Sequence, residues 1–146
     1  MTNIFLFDYE TRLKSWFDLR NTITNQPLET QCIEVDRYWQ QVPIQNHYLH
    51  IDFIKDWPDP WTLINDNTFC PYARALGMFY TLLLLGNKSL DLIEAIDDNS
   101  NEVVLLSVDN AKYLLNYWPD TVLNNRLEDF KTSRYLDISP LYSKIG

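Results

Sequence analysis

The fold of this chain is decided by residues 67–86, which read N-T-F-C-P-Y-A-R-A-L-G-M-F-Y-T-L-L-L-L-G. Asn67 or Thr68 can begin a helix here, because a short polar side chain accepts a hydrogen bond from a free backbone N–H. Pro71 fits the first turn. Backbone N–H groups there have no hydrogen-bond partner within the helix, so the N–H that proline lacks is not needed. Gly86 fits the end, where a left-handed residue is common. The stretch therefore predicts one helix.

This helix is apolar on nearly every face. Apolar side chains recur at steps of three and four residues, at Phe69, Tyr72, Ala73, Leu76, Tyr80, Leu83 and Leu84. The other side is largely covered by Ala75, Met78, Phe79 and Leu82. A helix that is apolar all round is a buried one. We therefore expect a central helix in which Leu76, Tyr80 and Leu83 are almost fully buried.

The remaining patterns predict short elements around this helix. They favour helices over residues 8–25 and 28–41, a strand over 47–53, a helical turn over 61–65, strands over 90–96, 102–108 and 113–117, and a brief pairing segment over 121–123. The predicted fold class is α+β, with N-terminal helices, a central buried helix and a small antiparallel sheet. We expect one domain over residues 1–123 and a C-terminal extension over 124–146.

In the C-terminal extension, the periodicity of apolar residues is too weak to build a core of its own. Its apolar residues are scattered and suit short contacts with another protein. We therefore predict that its aromatic residues are buried mainly against a second chain, and the interface candidates are Phe130, Tyr135, Leu136, Leu141 and Tyr142.

Charge and composition narrow the partners. The 146 residues carry a formal net charge of −8, which repels nucleic acid and anionic membranes. We expect other protein chains of an assembly as partners, with no direct nucleic acid and no membrane contact. The chain has only three glycines, too few to favour a glycine-rich phosphate-binding loop. The two cysteines do not have the spacing of a metal-binding motif. The acidic run over 97–102 lacks the glycine of a calcium loop. We therefore expect no cofactor and no metal.

Cys70 is the strongest candidate for chemistry. A thiol at a helix N-terminus lies at the positive end of the helix dipole, which favours the thiolate. A cysteine nucleophile also needs a base, usually histidine, and a group that orients it. The chain has two histidines, His47 and His50. On the predicted strand they point to opposite faces, so we do not expect them to share a metal.

The order of elements after Cys70 resembles the core of the transglutaminase-like branch of the papain-like enzymes. The resemblance covers residues 57–124 and rests on the segments D-P-W at 59–61, F-C-P-Y-A-R-A-L-G at 69–77, E-V-V-L-L-S-V-D at 102–109 and Y-L-L-N at 113–116. It implies that the helix begins with the nucleophile, that the next strands supply a histidine, and that a later strand supplies an aspartate.

The residues at those strand positions differ from the family pattern. Asn101 or Glu102 stands near the position implied for histidine, and Asn116 stands near that of aspartate. Such a core has lost its base, and only His47 or His50 could restore a dyad with Cys70.

The whole chain also resembles small accessory proteins of tailed-phage virions, through its D-P-W and F-C-P-Y-A-R-A-L-G-M-F-Y-T-L segments and its composition. This resemblance implies a neck, tail or baseplate component. The preferred function is therefore a non-enzymatic structural part, located in the virion or the host cytoplasm, because the N-terminus lacks the pattern of a secretion signal. The alternatives are a cysteine-nucleophile amidase or acyltransferase that uses Cys70, and a free regulatory binding module.

Overall fold

The structure is a computed structural model that describes residues 3–45 and 49–145. The helices of the described residues are α1 (Tyr9–Ile23), α2 (Leu28–Trp39), α3 (Pro60–Asp66) and α4 (Pro71–Leu84). The strands are β1 (Leu90–Ile96), β2 (Glu102–Val108), β3 (Tyr113–Trp118), β4 (Thr121–Asn124) and β5 (Lys131–Tyr135). Short 3-10 helices occupy Ile4–Leu6, Ile51–Asp56, Leu127–Asp129 and Ser139–Ile145. The α+β prediction is confirmed.

The predicted strand over residues 47–53 is wrong. Residues Ile51–Asp56 form a 3-10 helix instead, while residues 46–48 lie outside the described residues. The His50 side chain explains the difference, because its Nδ1 accepts a hydrogen bond from the Asp52 N–H and begins the turn. This local bond competes with strand pairing, as side-chain caps commonly do.

The five strands form one antiparallel sheet in the order β4-β3-β2-β1-β5. The first four strands form a meander, so each pairs with its neighbour in sequence. Strand β5 returns across the sheet and pairs with β1, with a register shift between Glu94 and Ala95. The beginnings of β2 and of α4 consequently lie close together.

Helix α4 is the centre of the core, as the sequence predicts. Leu76 and Tyr80 are fully buried, whereas Leu83 is only partly buried because it lies at the C-terminal end of the helix. In the part of the chain that the structure describes, no helix has the length and apolar character needed to cross a membrane.

Thr81 joins three helices. The indole nitrogens of Trp16 in α1 and Trp39 in α2 both donate hydrogen bonds to Thr81 Oγ1, at 2.8 and 2.9 Å. The Thr81 hydroxyl in turn donates to the Gly77 carbonyl at 2.7 Å. All of these groups are buried, so each polar atom finds its partner inside the core.

The C-terminal segment packs on its own chain. Strand β5 directs the residues that follow it onto the core, where the Leu136 N–H donates to the Leu92 carbonyl at 2.9 Å. Leu136 and Leu141 are consequently buried within this chain. This differs from the expectation that both contact another protein, and the physical reason is the pairing of β5 with β1.

The three aromatic interface candidates are more accessible. The Phe130 ring packs edge-on against Tyr117 at 5.1 Å, and the Tyr142 ring packs against Phe79 at 5.7 Å. Tyr135, on the outer strand, is 56% exposed. Of the five interface candidates, Tyr135 is therefore the most available to a partner.

Candidate active site around Cys70

Cys70 is the N-cap residue of α4 and has extended backbone angles, with Pro71 in the first turn. The preceding residue, Phe69, fixes the position of Cys70. Phe69 forms a β-bridge with Ile44, and its carbonyl accepts a hydrogen bond from the Gln45 N–H at 2.8 Å. Among the described residues, the thiol makes no capping bond to the helix. The sulfur therefore lies at the N-terminal end of α4, the positive end of the helix dipole.

Two cavities of about 370 Å³ each open beside this helix start. Both are lined by Pro71 and by the first residues of β2, Glu102, Val103 and Val104. The first, which we call the Tyr72 cavity, is also lined by Tyr72, Glu94 and Ser133. The second, which we call the Arg74 cavity, is also lined by Arg74, Asn116 and Trp118. Together they form a cleft beside Pro71, the residue that follows Cys70. Cys70 itself is 1% exposed and is not among the residues that line either cavity.

The strand residues implied by the family resemblance do converge on this cleft. Glu102 is exposed at the start of β2 and borders both cavities. Asn116 is buried in β3, and its Nδ2 donates to the carbonyls of Pro71 at 3.1 Å and Val104 at 2.8 Å. The element order predicts this arrangement correctly, but a carboxylate and an amide occupy it.

A buried polar network lies behind Asn116. Its Oδ1 accepts a hydrogen bond from Arg74 Nε, and its backbone N–H donates to Asp36 Oδ1 at 2.9 Å. Asp36 is fully buried, and burial raises the pKa of its carboxyl despite the bonds from Asn116 and Gln40. Burial also lowers the pKa of Arg74. No local sequence pattern predicts this network as a whole, although an asparagine inside the apolar strand Y-L-L-N-Y-W is a signal for a buried polar partner.

The conformation of Asn116 also marks the site. Its φ of +69° lies in the left-handed region, which asparagine tolerates better than most residues. This backbone turn lets one residue contact α2, α4 and β2 together.

Tyr72 and Glu94 pair on the other side of the cleft. The Tyr72 hydroxyl donates to the Glu94 carboxylate, and Arg134 Nε lies 3.5 Å from Glu94 Oε1. Burial first, and then the Glu94 carboxylate, raises the pKa of Tyr72. Tyr72 is therefore a neutral hydrogen-bond donor at physiological pH.

His50 lies at the start of the 3-10 helix Ile51–Asp56, where its Nδ1 is 3.6 Å from Asp52 Oδ2 and its ring packs against Phe53 at 5.4 Å. His47, the other predicted base, lies outside the described residues. The second cysteine, Cys32, is fully buried, and burial followed by the charge of Asp36 raises its pKa to about 12.

The fold, with Cys70 at the start of α4, is similar to that of transglutaminase-like structures, and the resemblance seen in the sequence is supported to that extent. No protein-family model and no curated protein sequence matches the chain. Among solved structures, the chain is similar to LapG of Legionella pneumophila, which has a transglutaminase-like cysteine protease fold.

The similarity to LapG extends over most of both chains. The calcium-bound form superimposes with a TM-score of 0.72 at 18% identity, over 90% of this chain and 77% of LapG. A second structure of LapG gives 0.70 at 17% identity, and the EGTA-treated form gives 0.69 at 18%, each over 88% of this chain and 74% of LapG.

These similarities correct the preferred function. The expectation of a non-enzymatic structural part of a phage virion is wrong, because the matching structures belong to a cysteine protease and support the enzyme alternative instead. One LapG structure holds calcium, but the described residues here include no group of three or more His, Cys, Asp or Glu side chains that could hold a metal ion.

Proposed function

We propose that this chain is a cysteine-nucleophile enzyme, an amidase or acyltransferase that uses Cys70. The observation that carries the proposal is the placement of Cys70 at the N-cap of α4, beside a cleft, in a transglutaminase-like fold. The wider likeness to the LapG structures supports the class of reaction.

The reaction begins when the Cys70 thiolate attacks the carbonyl carbon of a substrate amide. The resulting oxyanion forms at the N-terminus of α4, where the positive end of the helix dipole stabilises it. The tetrahedral intermediate then expels the amine, which takes a proton, and leaves a thioester on Cys70. Water or a second amine attacks the thioester and regenerates the thiol. Because Cys70 is 1% exposed, the cleft must open beside Pro71 for a substrate to reach the sulfur.

The base in this proposal is one of the two histidines of the chain. Glu102 and Asn116 occupy the strand positions beside the cleft, and neither is an imidazole. The segment that contains His47 and His50 follows Gln45, whose N–H binds the carbonyl of Phe69, the residue before Cys70. This connection is the reason to test both histidines.

The proposed substrate or partner is another protein. The net charge of −8 supports this choice over nucleic acid and anionic membranes, which a strongly acidic surface repels. Amide bonds in a protein chain also match the chemistry of a cysteine nucleophile.

Alkylation by iodoacetamide at neutral pH tests the proposal. The rate at Cys70 should exceed that at Cys32 by at least about tenfold, because Cys32 is fully buried with a raised pKa and serves as an internal control. Peptide mapping by mass spectrometry assigns each modified cysteine. The variants His47→Gln and His50→Gln are measured alongside, and one of them should slow the reaction of Cys70.

The test has a clear negative result. Equal rates at the two cysteines of the folded protein would overturn the proposal, and so would a Cys70 rate that neither histidine variant changes. The Cys32→Ser variant should keep the wild-type rate at Cys70 and so verifies that the assay reports one site.

A further inference from the structure

The guanidinium of Arg74 is a half-buried cation that makes no salt bridge with any described residue. Arg74 lies one helical turn after Cys70 and lines the Arg74 cavity. Its Nε donates to Asn116 Oδ1, and its terminal nitrogens make no hydrogen bond or salt bridge with any other described residue. A buried cation normally pairs with a carboxylate, and in a chain with net charge −8 such partners are plentiful.

The nearby carboxylates do not neutralise Arg74 directly. Asp36 makes no salt bridge with Arg74, although its charge raises the pKa of Arg74 against the effect of burial. Asn116 contacts both, since its Oδ1 accepts from Arg74 and its backbone N–H donates to Asp36 Oδ1. Asp97 also lines the cavity, but its oxygens accept four hydrogen bonds, from Asn99 N–H, from the backbone and the side-chain amide of Asn101, and from the Tyr117 hydroxyl. These bonds direct the Asp97 carboxylate into its own turn and hold its pKa below the usual range.

We infer that Arg74 binds a carboxylate of the substrate, and that the proposed enzyme selects peptides with an acidic side chain near the reacting amide. Arginine suits this role because its planar fork forms two parallel hydrogen bonds to a carboxylate. The cavity has room for such a side chain, and Trp118, which is 65% exposed, offers an aromatic wall for the neighbouring atoms. The position of Arg74 one turn from Cys70 places this pocket beside the nucleophile.

Glu102 opposes the same ligand. It is exposed at the mouth of the cavity and carries a charge of the same sign as the ligand. Its removal should therefore tighten binding, whereas removal of Arg74 should weaken it. The opposite effects of these two residues distinguish a carboxylate site from a general apolar cleft.

This inference rests on the proposed function for its biological role, but its test measures binding and needs no turnover. Two blocked tripeptides, Ala-Glu-Ala and Ala-Gln-Ala, are titrated into ¹⁵N-labelled wild-type protein, and the indole signal of Trp118 is followed by NMR. The two ligands differ only in charge. The glutamate peptide should bind about tenfold more tightly, and added salt should reduce the difference.

Three variants complete the experiment. Arg74→Gln should abolish the preference for glutamate, Arg74→Lys should retain part of it, and Glu102→Gln should strengthen it. Arg126→Gln is the matched control, since Arg126 is an exposed arginine paired with Asp129 outside the cleft. Cys70→Ala should bind like the wild type, so a failure of the catalytic proposal is separable from a failure of this one.

Equal binding of the two tripeptides to the wild-type protein would overturn the inference without any variant. It would also be overturned if Arg74→Gln remained folded and kept the preference for glutamate. Should Arg74→Gln fail to fold, the wild-type comparison and the Glu102→Gln variant still decide the question.

Discussion

Gly77 and Trp39 are in direct contact, and the contact exists only because Gly77 has no side chain. A β-carbon at this position would lie 2.5 Å from Cε3 and Cζ3 of the Trp39 ring, closer than real carbon atoms approach. Helices α2 and α4 are therefore packed together through the contact of the Trp39 ring with the backbone of Gly77. Since α4 begins with Cys70, this contact also fixes the helix that carries the candidate nucleophile.

Gly77→Ala should destabilise the protein by about 1–3 kcal/mol, as overpacking of a closed core does. The large ring of Trp39 leaves no room to relax, so the loss should exceed the small gain from the better helix propensity of alanine. Chemical denaturation measures the change. In the background of Trp39→Leu the same substitution should be tolerated better, and equal effects in both backgrounds would show that the contact is not the cause.

Thr81→Val should destabilise the protein by roughly 1–3 kcal/mol for each indole left without an acceptor. Both indoles are buried, so water does not replace the hydroxyl. Thr81→Ser is the matched control, because it keeps the hydroxyl and removes one methyl group. If the valine and serine variants were equally stable, the hydrogen bonds from Trp16 and Trp39 would have no net role.

Asp36→Asn should change how stability depends on pH. Burial raises the pKa of Asp36 in the folded state above its ordinary value of about 4. The folded wild type therefore holds this proton more tightly than the unfolded chain. The stability that this provides is present below about pH 4 and is lost as the pH rises through the folded-state pKa.

The variant lacks this titration while keeping an oxygen that can accept from the Asn116 N–H. The stability of the wild type relative to Asp36→Asn should therefore fall as the pH rises above about 4. Unfolding curves collected at several pH values test this, with circular dichroism to verify that the variant is folded. A difference that stays constant with pH would contradict the prediction.

Leu141→Ala should cost about 2–5 kcal/mol, because Leu141 is fully buried against the rest of the chain. Tyr142→Ala, at a side chain that is 39% exposed, should cost less. The same packing predicts that the isolated protein resists proteolysis after residue 124. Rapid clipping of this segment in the free protein, with protection by a partner, would instead favour docking on a second chain.

The regular elements were predictable because their signals are local. Strands β1 and β2 match the predicted ranges 90–96 and 102–108, since each is an apolar run bounded by turn residues. Strand β5 was missed because its sequence K-T-S-R-Y is polar and all of it is exposed, so it has no alternating pattern. Its pairing with β1 is a long-range contact that no local pattern encodes.

The site was predictable only in part, for a related reason. Cys70 is marked by its position before a helix, which is a local feature. The network of Asp36, Arg74 and Asn116 joins residues from α2, α4 and β3, and only the fold brings them together. The two histidines are candidates by their chemistry alone, and the Nδ1 of His50 accepts a hydrogen bond from the Asp52 N–H in its own turn.

Strand β5 also affects the behaviour of incomplete chains. Until it is in place, β1 presents an open edge of apolar residues, and such edges recruit strands from other molecules. β5 is short and carries Lys131 and Arg134, which make it a poor template for further pairing. Because it is the last of the five strands to leave the ribosome, nascent chains pass through an aggregation-prone stage that ends only when this strand docks.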